Sequence, residues 1–202
     1  MEKYFVVRYE GPFGFIKPWT AVRDGGDPKT IHTYSQQFLT PSIIEGMEKK
    51  LFPELLADDT NFGKIFKIKR HRLTYSGISG QMEVIQSSGF EYKKGKGFDR
   101  PISILTRGVL LNPELYLAFE IREDAQLAAT QHICLCRNED ILYPVDIFEI
   151  NKDEFSFIEG FELHFEKNEN AFIVGYNRFN HASEMYGWLE ITDNPIKNER
   201  KF

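Results

Sequence analysis

Apolar and polar residues alternate with a period of two over most of the chain, and the pattern changes to a helical period at one place. Tyr4 to Tyr9 reads as a first strand, ended by Gly11-Pro12, where the proline lacks a ladder donor and the glycine permits a turn. A loop follows through Lys17-Pro18-Trp19 and Asp24-Gly25-Gly26-Asp27-Pro28. From Thr40 to Phe52 the apolar positions Ile43, Ile44, Met47 and Leu51 fall on one helical face. Thr40 can cap this helix and Pro41 suits its first position. Glu45 complements the positive end, Lys49 and Lys50 the negative end, and Pro53 stops the run. Gly46 in mid-helix costs about 1 kcal/mol against alanine, which points either to a close approach to the helix backbone or to simple tolerance.

After the helix, Ile65 to Tyr75 is basic at alternate positions. Ile102–Leu111 and Leu115–Ile121 read as a strand pair around the turn Asn112-Pro113-Glu114, with Leu115, Leu117, Phe119 and Ile121 facing inward. Phe161–Glu166 and Ala171–Asn177 read as a second hairpin around Lys167-Asn168-Glu169-Asn170, and Tyr186–Thr192 as a last strand. The Gly/Lys/Ser-rich run from Gly77 to Gly97 reads as a long loop or flexible hairpin. A strand, a helix and then many strands predict an α+β domain rich in β-structure.

The 202 residues are 42% hydrophobic and 27% charged and include 18 Phe, enough apolar side chain for one compact domain with insertions. No run approaches the ~18 uninterrupted apolar residues of a spanning helix, and Met1-Glu2-Lys3 runs straight into the first strand without an apolar leader core. A cytoplasmic address with no membrane partner is therefore expected. Cys134 and Cys136, one residue apart, are badly placed to bridge each other, which suits a reducing compartment.

The net charge of −5 conceals a dipolar chain. Residues 61–110 carry ten Lys/Arg against three Asp/Glu, whereas residues 111–170 carry four against fourteen. The basic strand Lys64-Ile65-Phe66-Lys67-Ile68-Lys69-Arg70-His71-Arg72 is followed by Lys93-Lys94-Gly95-Lys96 and Arg100, with Phe62, Tyr75, Phe90, Tyr92 and Phe98 interleaved. Single-stranded RNA recognition requires this mixture, because cations hold phosphates while aromatic faces stack on unpaired bases. A solvated charged face is the alternative. The acidic segment from Leu111 to Asn170 is expected to face solvent or a basic partner, since like charge repels phosphate.

His132-Ile133-Cys134-Leu135-Cys136 puts three potential metal ligands on one strand face, but a structural zinc needs a fourth ligand and wider cysteine spacing. Buried thiols beside a histidine are expected instead, with no metal and no cofactor. G-x-S-x-G, P-loop, H-E-x-x-H and G-x-G-x-x-G patterns are missing, so the common hydrolase, nucleotide and zinc-protease readings have no support. Metal-independent RNA cleavage needs a base near a 2′-hydroxyl, a cation for the phosphate and an acid for the leaving oxygen. Lys69, His71 and Tyr75 share one face of their strand if its alternation is unbroken, and the same three serve equally as phosphate and base contacts.

The opening Val6-Val7-Arg8-Tyr9-Glu10-Gly11-Pro12-Phe13-Gly14-Phe15-Ile16-Lys17-Pro18, followed by Tyr34-Ser35, Thr40-Pro41-Ser42 and Gly46, resembles the Cas-five family, nearest to its type I-C branch. These CRISPR-associated proteins hold the 5′ handle of the guide RNA in type I surveillance complexes. Ile104 to Ile121 is similar to that branch's Arg-containing strand and the hairpin strand after it. Gly187-Trp188-Leu189-Glu190-Ile191 is similar to its C-terminal motif, and Cys134-Leu135-Cys136-Arg137 to a Cys-Arg motif. The resemblance covers most of the chain through short motifs. It implies a ferredoxin-like, RRM-like RAMP domain over residues 1–125, with a hairpin thumb at about 77–100 and a β-rich portion over 126–202 packed on it. It also implies a subunit that binds the crRNA 5′ handle, caps the backbone filament and contacts the backbone and large subunits of a Cascade-like ribonucleoprotein complex in antiviral defence.

The expected RNA contacts are Lys17, Trp19, Arg23 and Tyr34 after the first strand, Lys67, Lys69, Arg70 and Arg72 on the basic strand, Lys93, Lys94, Lys96 and Arg100 on the thumb, and Arg107. Members of the type I-C branch can also cut the repeat RNA with Tyr, Lys and His. Phe52 stands where such a Tyr can lie near the helix end, and no Lys-His pair follows Ile121, so a non-catalytic subunit is expected. The alternatives are a metal-independent endoribonuclease that processes pre-crRNA through Lys69, His71 and Tyr75, and a free-standing single-stranded RNA-binding domain.

Overall fold

The computed structural model describes residues 2–18, 31–86, 89–100 and 102–197. Its first half contains strands β1 (Lys3–Glu10), β2 (Phe13–Gly14) and β3 (Ile31–Tyr34), helix α1 (Pro41–Leu51), and strands β4 (Ile68–Thr74), β5 (Gly77–Gln86), β6 (Glu91–Lys93) and β7 (Gly97–Asp99). The second half contains β8 (Ile102–Leu111), β9 (Glu114–Phe119), α2 (Arg122–Ala128), β10 (Ile133–Cys134), β11 (Ile141–Asn151), β12 (Gly160–His164), β13 (Phe172–Asn177) and β14 (Ser183–Thr192). The fold is β-rich with few helices, and no helix among the described residues is long and apolar enough to cross a membrane.

β1 lies inside an eight-stranded sheet because both its faces are apolar. Val7 and Tyr9 enter the main core with Ile44, Met47 and Leu51 of α1 and Ala125 and Ala128 of α2. Val6 enters a second cluster on the other side with Ala118 and Phe155. The sheet order is β10-β11-β1-β9-β4-β12-β14-β13. Within it β11, β1, β9 and β4 pair antiparallel throughout, with α1 crossing from β1 to β4 and α2 from β9 to β11. β11 lies beyond residue 125, which itself falls within α2, so the two expected portions of the chain share one sheet.

The helix read from the 3.6-residue period forms as expected, with Thr40 at its N-cap position and Lys49 and Lys50 in its last turn. Glu45 does not sit in the first turn; it binds Lys49 and accepts the Gly63 N–H at 2.6 Å. Glu48, fully buried, accepts the backbone N–H groups of Phe66, Lys67 and Ile68 at 2.9, 2.5 and 2.8 Å. It thereby fixes the entry of the chain into β4. Glu48→Ala leaves three donors without this acceptor, and at about 1–3 kcal/mol for a buried unsatisfied group a loss of about 3 kcal/mol or more in urea unfolding is expected. A loss below ~1 kcal/mol would show that water replaces the carboxylate.

Two expected hairpins are corrected. The turn at Asn112, whose φ is 45°, joins strands of different sheets. β8 pairs with β5 through ten residues, from Gly77 opposite Leu111 to Gln86 opposite Ile102, whereas β9 pairs with β1 and β4. The division follows burial: Leu115, Leu117, Ala118 and Phe119 need cover on both faces, while Ile102 and Ile104 stay exposed. Likewise β12 and β13 do not pair with each other, because β14 lies between them; the tight turn is at 178–182, where His181 and Ala182 take positive φ.

Candidate nucleic-acid interface

β5 and β8 form a two-stranded ribbon, so the run from Gly77 to Gly97 expected as a loop or flexible hairpin supplies one strand of the ribbon and most of the hairpin beyond it. Beyond the ribbon, β6 and β7 make a small hairpin with Tyr92 opposite Phe98 and Lys93 opposite Gly97. Gly95 and Gly97 have φ near +80°, so the turn Lys93-Lys94-Gly95-Lys96-Gly97 needs residues without a Cβ there. Tyr92 and Phe98 meet edge to face at 5.5 Å and are 68% and 75% exposed, values that leave ring faces open to a base. Arg100 covers Phe90 at 4.6 Å. Lys93 pairs with Asp99 at 2.9 Å, whereas Lys94 and Lys96 have no ion-pair partner among the described residues.

At the ribbon's root, β2 and β3 pair with β8. Tyr34 packs over Gly108 so closely that a Cβ there would lie 2.3 Å from its ring, while the tyrosine remains exposed. Arg107 pairs with Glu83 at 2.7 Å and its guanidinium lies 5.4 Å from the Phe15 ring centre. Lys17 is exposed, and its backbone N–H donates to Cys136 Sγ at 3.4 Å. Trp19 and Arg23 lie outside the described residues.

The basic strand behaves differently from the expectation that Lys67, Lys69, Arg70 and Arg72 meet RNA. A bulge between Ile68 and Arg70 breaks its alternation. Lys67 reaches Asp124 at 2.7 Å and Glu54 at 3.4 Å, and Lys69 reaches Glu120 at 3.6 Å. Arg70 grips Glu162 with two hydrogen bonds of 2.6 and 2.7 Å. Arg72, fully buried, lies 3.2 Å from Glu162 and 2.9 Å from Glu190, ion pairs without the alignment of hydrogen bonds. Arg72 is therefore corrected from an RNA contact to an interior cation, and Arg70 is held by the same carboxylate. The basic partner expected for the acidic segment is, in this part, the chain's own β4.

The candidate cleaving set is not brought to one open surface. His71 and Tyr75 are 3% and 1% exposed, and only Lys69 reaches solvent. The His71 ring stacks on Phe165 at 5.5 Å. Burial, reinforced by His164, Arg72 and Arg70 against the opposing pull of Glu162, lowers its pKa to about 4.

Glu162, His164 and Glu190 place ligand atoms within 4.8 Å of one another, a spacing that could hold a cation. Arg70 and Arg72 already neutralise both carboxylates, and Glu190 accepts from His164 Nε2 at 2.7 Å while the His164 ring stacks on Trp188 at 4.1 Å. His132, Cys134 and Cys136 do not gather: Cys134 Sγ turns to the Asn138 carbonyl and His132 to the Tyr143 ring. The Glu162 cluster escaped the sequence reading. Its signal was the alternation of Glu162 and His164 with apolar residues, which puts both on one strand face.

No family model matches the chain, and no curated protein is similar to it in sequence. Among solved structures, a chain from a "CRISPR RNA-guided surveillance complex" aligns with 94% of this chain and 90% of its own, at 9% identity and a TM-score of 0.48.

Proposed function

We propose that this protein is a non-catalytic, guide-RNA-binding subunit of a type I Cascade-like surveillance complex, holding the 5′ handle of crRNA and capping the backbone filament beside the backbone and large subunits. The ribbon tip carries this reading: two exposed aromatic rings and two uncommitted lysines on a projecting hairpin are the parts with which a protein grips unpaired nucleotides. The strand order β11-β1-β9-β4 with two crossover helices supports a ferredoxin-like core, with the ribbon from Gly77 to Leu111 as the thumb. The burial of His71 and Tyr75 favours binding over cutting, since neither can reach a scissile phosphate in this arrangement.

Titrating labelled single-stranded repeat RNA at several salt concentrations tests the reading. Lys94→Ala with Lys96→Ala is expected to flatten the salt dependence by about 1.4 units of slope, at ~0.7 per phosphate contact on single strands. Adding Lys93→Ala changes it little further, because Asp99 already neutralises that lysine. An unchanged slope in the double variant, or no RNA binding by the wild type, overturns the proposal. Repeat-RNA cutting in EDTA that His71→Ala abolishes would replace it with the nuclease.

A further inference from the structure

Gly46 stands in the middle of α1, yet a Cβ built there meets no atom within 4 Å. Glycine weakens a helix interior relative to alanine, and no contact among the described residues requires it here. No described residue supplies the expected close approach to the helix backbone, and the surface over Gly46 is open to a partner. Two clefts flank the helix and meet over Ser42 and Gly46, one of about 280 Å³ on the side of Arg178 and one of about 500 Å³ on the side of Lys50.

The smaller cleft contains a column of flat and cationic groups. Lys49 lies 4.4 Å from the Phe62 ring centre, and Phe62 stacks on Phe179 at 5.0 Å with 25° between the planes. Phe179 is 57% exposed, so the column ends in solvent, with the Arg178 guanidinium 5.9 Å from its ring centre. Glu45 is the only carboxylate among the cleft's described lining residues, and it is occupied by Lys49 and the Gly63 N–H. Aromatic faces flanked by cations match the two parts of a nucleotide, the base and the phosphate.

We propose that this saddle over α1 takes one unpaired base of a single-stranded RNA, stacked on Phe179, with the sugar-phosphate backbone crossing the helix at Gly46 between Arg178 and Lys50. It rests on the RNA-binding reading above and adds a contact on a different part of the fold from the ribbon tip. A side chain at position 46 would occupy the crossing point.

Fluorescence anisotropy with labelled poly(A), combined with thermal unfolding, tests this on the full chain. Phe179→Ala is expected to weaken binding roughly tenfold, the size of one lost base stack. Gly46→Ala is expected to raise the Tm by about 2–4 °C, since it removes only a helix-propensity penalty. Gly46→Gln is expected to weaken binding with a Tm no lower than that of the wild type, a combination that a purely structural glycine does not give. If Phe179→Ala and Gly46→Gln bind poly(A) as the wild type does while Lys94→Ala with Lys96→Ala binds less well, the saddle is refuted and the RNA reading stands. If the wild type binds repeat RNA but not poly(A) at low salt, the saddle is refuted and the RNA reading stands; if it binds neither, both fall.

Discussion

Glu162→Ala is expected to lower the unfolding free energy by about 3–5 kcal/mol, the cost of leaving buried charge without its partner. Glu162 is 2% exposed and faces both Arg70 and Arg72, and Arg72 has no exposure through which water could take over. Glu190 remains beside Arg72 at 2.9 Å but is itself shared with His164 at 2.7 Å, so it replaces only part of the lost charge. The carboxylate also accepts the backbone N–H of His71 at 3.2 Å, and that donor is orphaned by the same substitution. Glu162→Leu combined with Arg72→Met should be milder, because the fully buried cation goes with its partner, while Arg70 is part-exposed and keeps Glu190 at 3.5 Å. Urea unfolding of the three proteins measures both values; a single variant no worse than the double would show that the network contributes nothing beyond packing.

Acidification is expected to remove about 3 kcal/mol of stability through His71 alone. Its pKa is about 4 in the folded protein, with burial the leading cause, against about 6.5 when unfolded. The folded value is the lower one, so the unfolded chain binds the proton more readily. The contribution is therefore complete above pH ~6.5 and is lost as the pH falls through about 4. His71→Leu deletes the titration and leaves an apolar side chain against Phe165, and His71 Nε2 has no hydrogen-bond partner to orphan. The stability difference between wild type and variant, followed by urea midpoints from pH 7 to pH 4, should track this curve. A difference that is flat with pH would place the imidazole in contact with water.

Local pattern made β1 and α1 legible, because the alternation of Val7 and Tyr9 and the spacing of Ile44, Met47 and Leu51 depend only on neighbours in sequence. Pairing was not legible. Nothing near Asn112 says that β8 runs back along β5 rather than along β9, and nothing near Lys167 says that β14 will enter between β12 and β13. The basic strand was misread for the same reason: the carboxylate that neutralises Arg72 lies ninety residues away. The signal available was the opposite charge of residues 61–110 and 111–170, which can mean two faces for two partners or two strands for each other. Glu48 gave no warning, since a glutamate beside Lys49 and Lys50 reads as a solvated helix position until the turn before β4 closes over it. At the tip of the ribbon the reading needed no distant partner, and there Tyr92, Phe98, Lys94 and Lys96 are exposed as the composition of that stretch suggested.

The ribbon is a cantilever. β2 and β3 brace β8 only between Leu105 and Leu111, and the Tyr34 ring seated on Gly108 clamps the root, while Met82, Val84, Ile102 and Ile104 stand in the open and β6 and β7 lie farther out still. The strand from Gly108 out to Ile102 gives the beam a reach of about 20 Å beyond its clamp. A load at Lys94 or Phe98 acts with that leverage on one small fulcrum, so whatever grips the tip is transmitted to the sheet as a torque about residue 108. Stiffness at that fulcrum, where the Tyr34 ring sits on Gly108, sets how far the hairpin can swing.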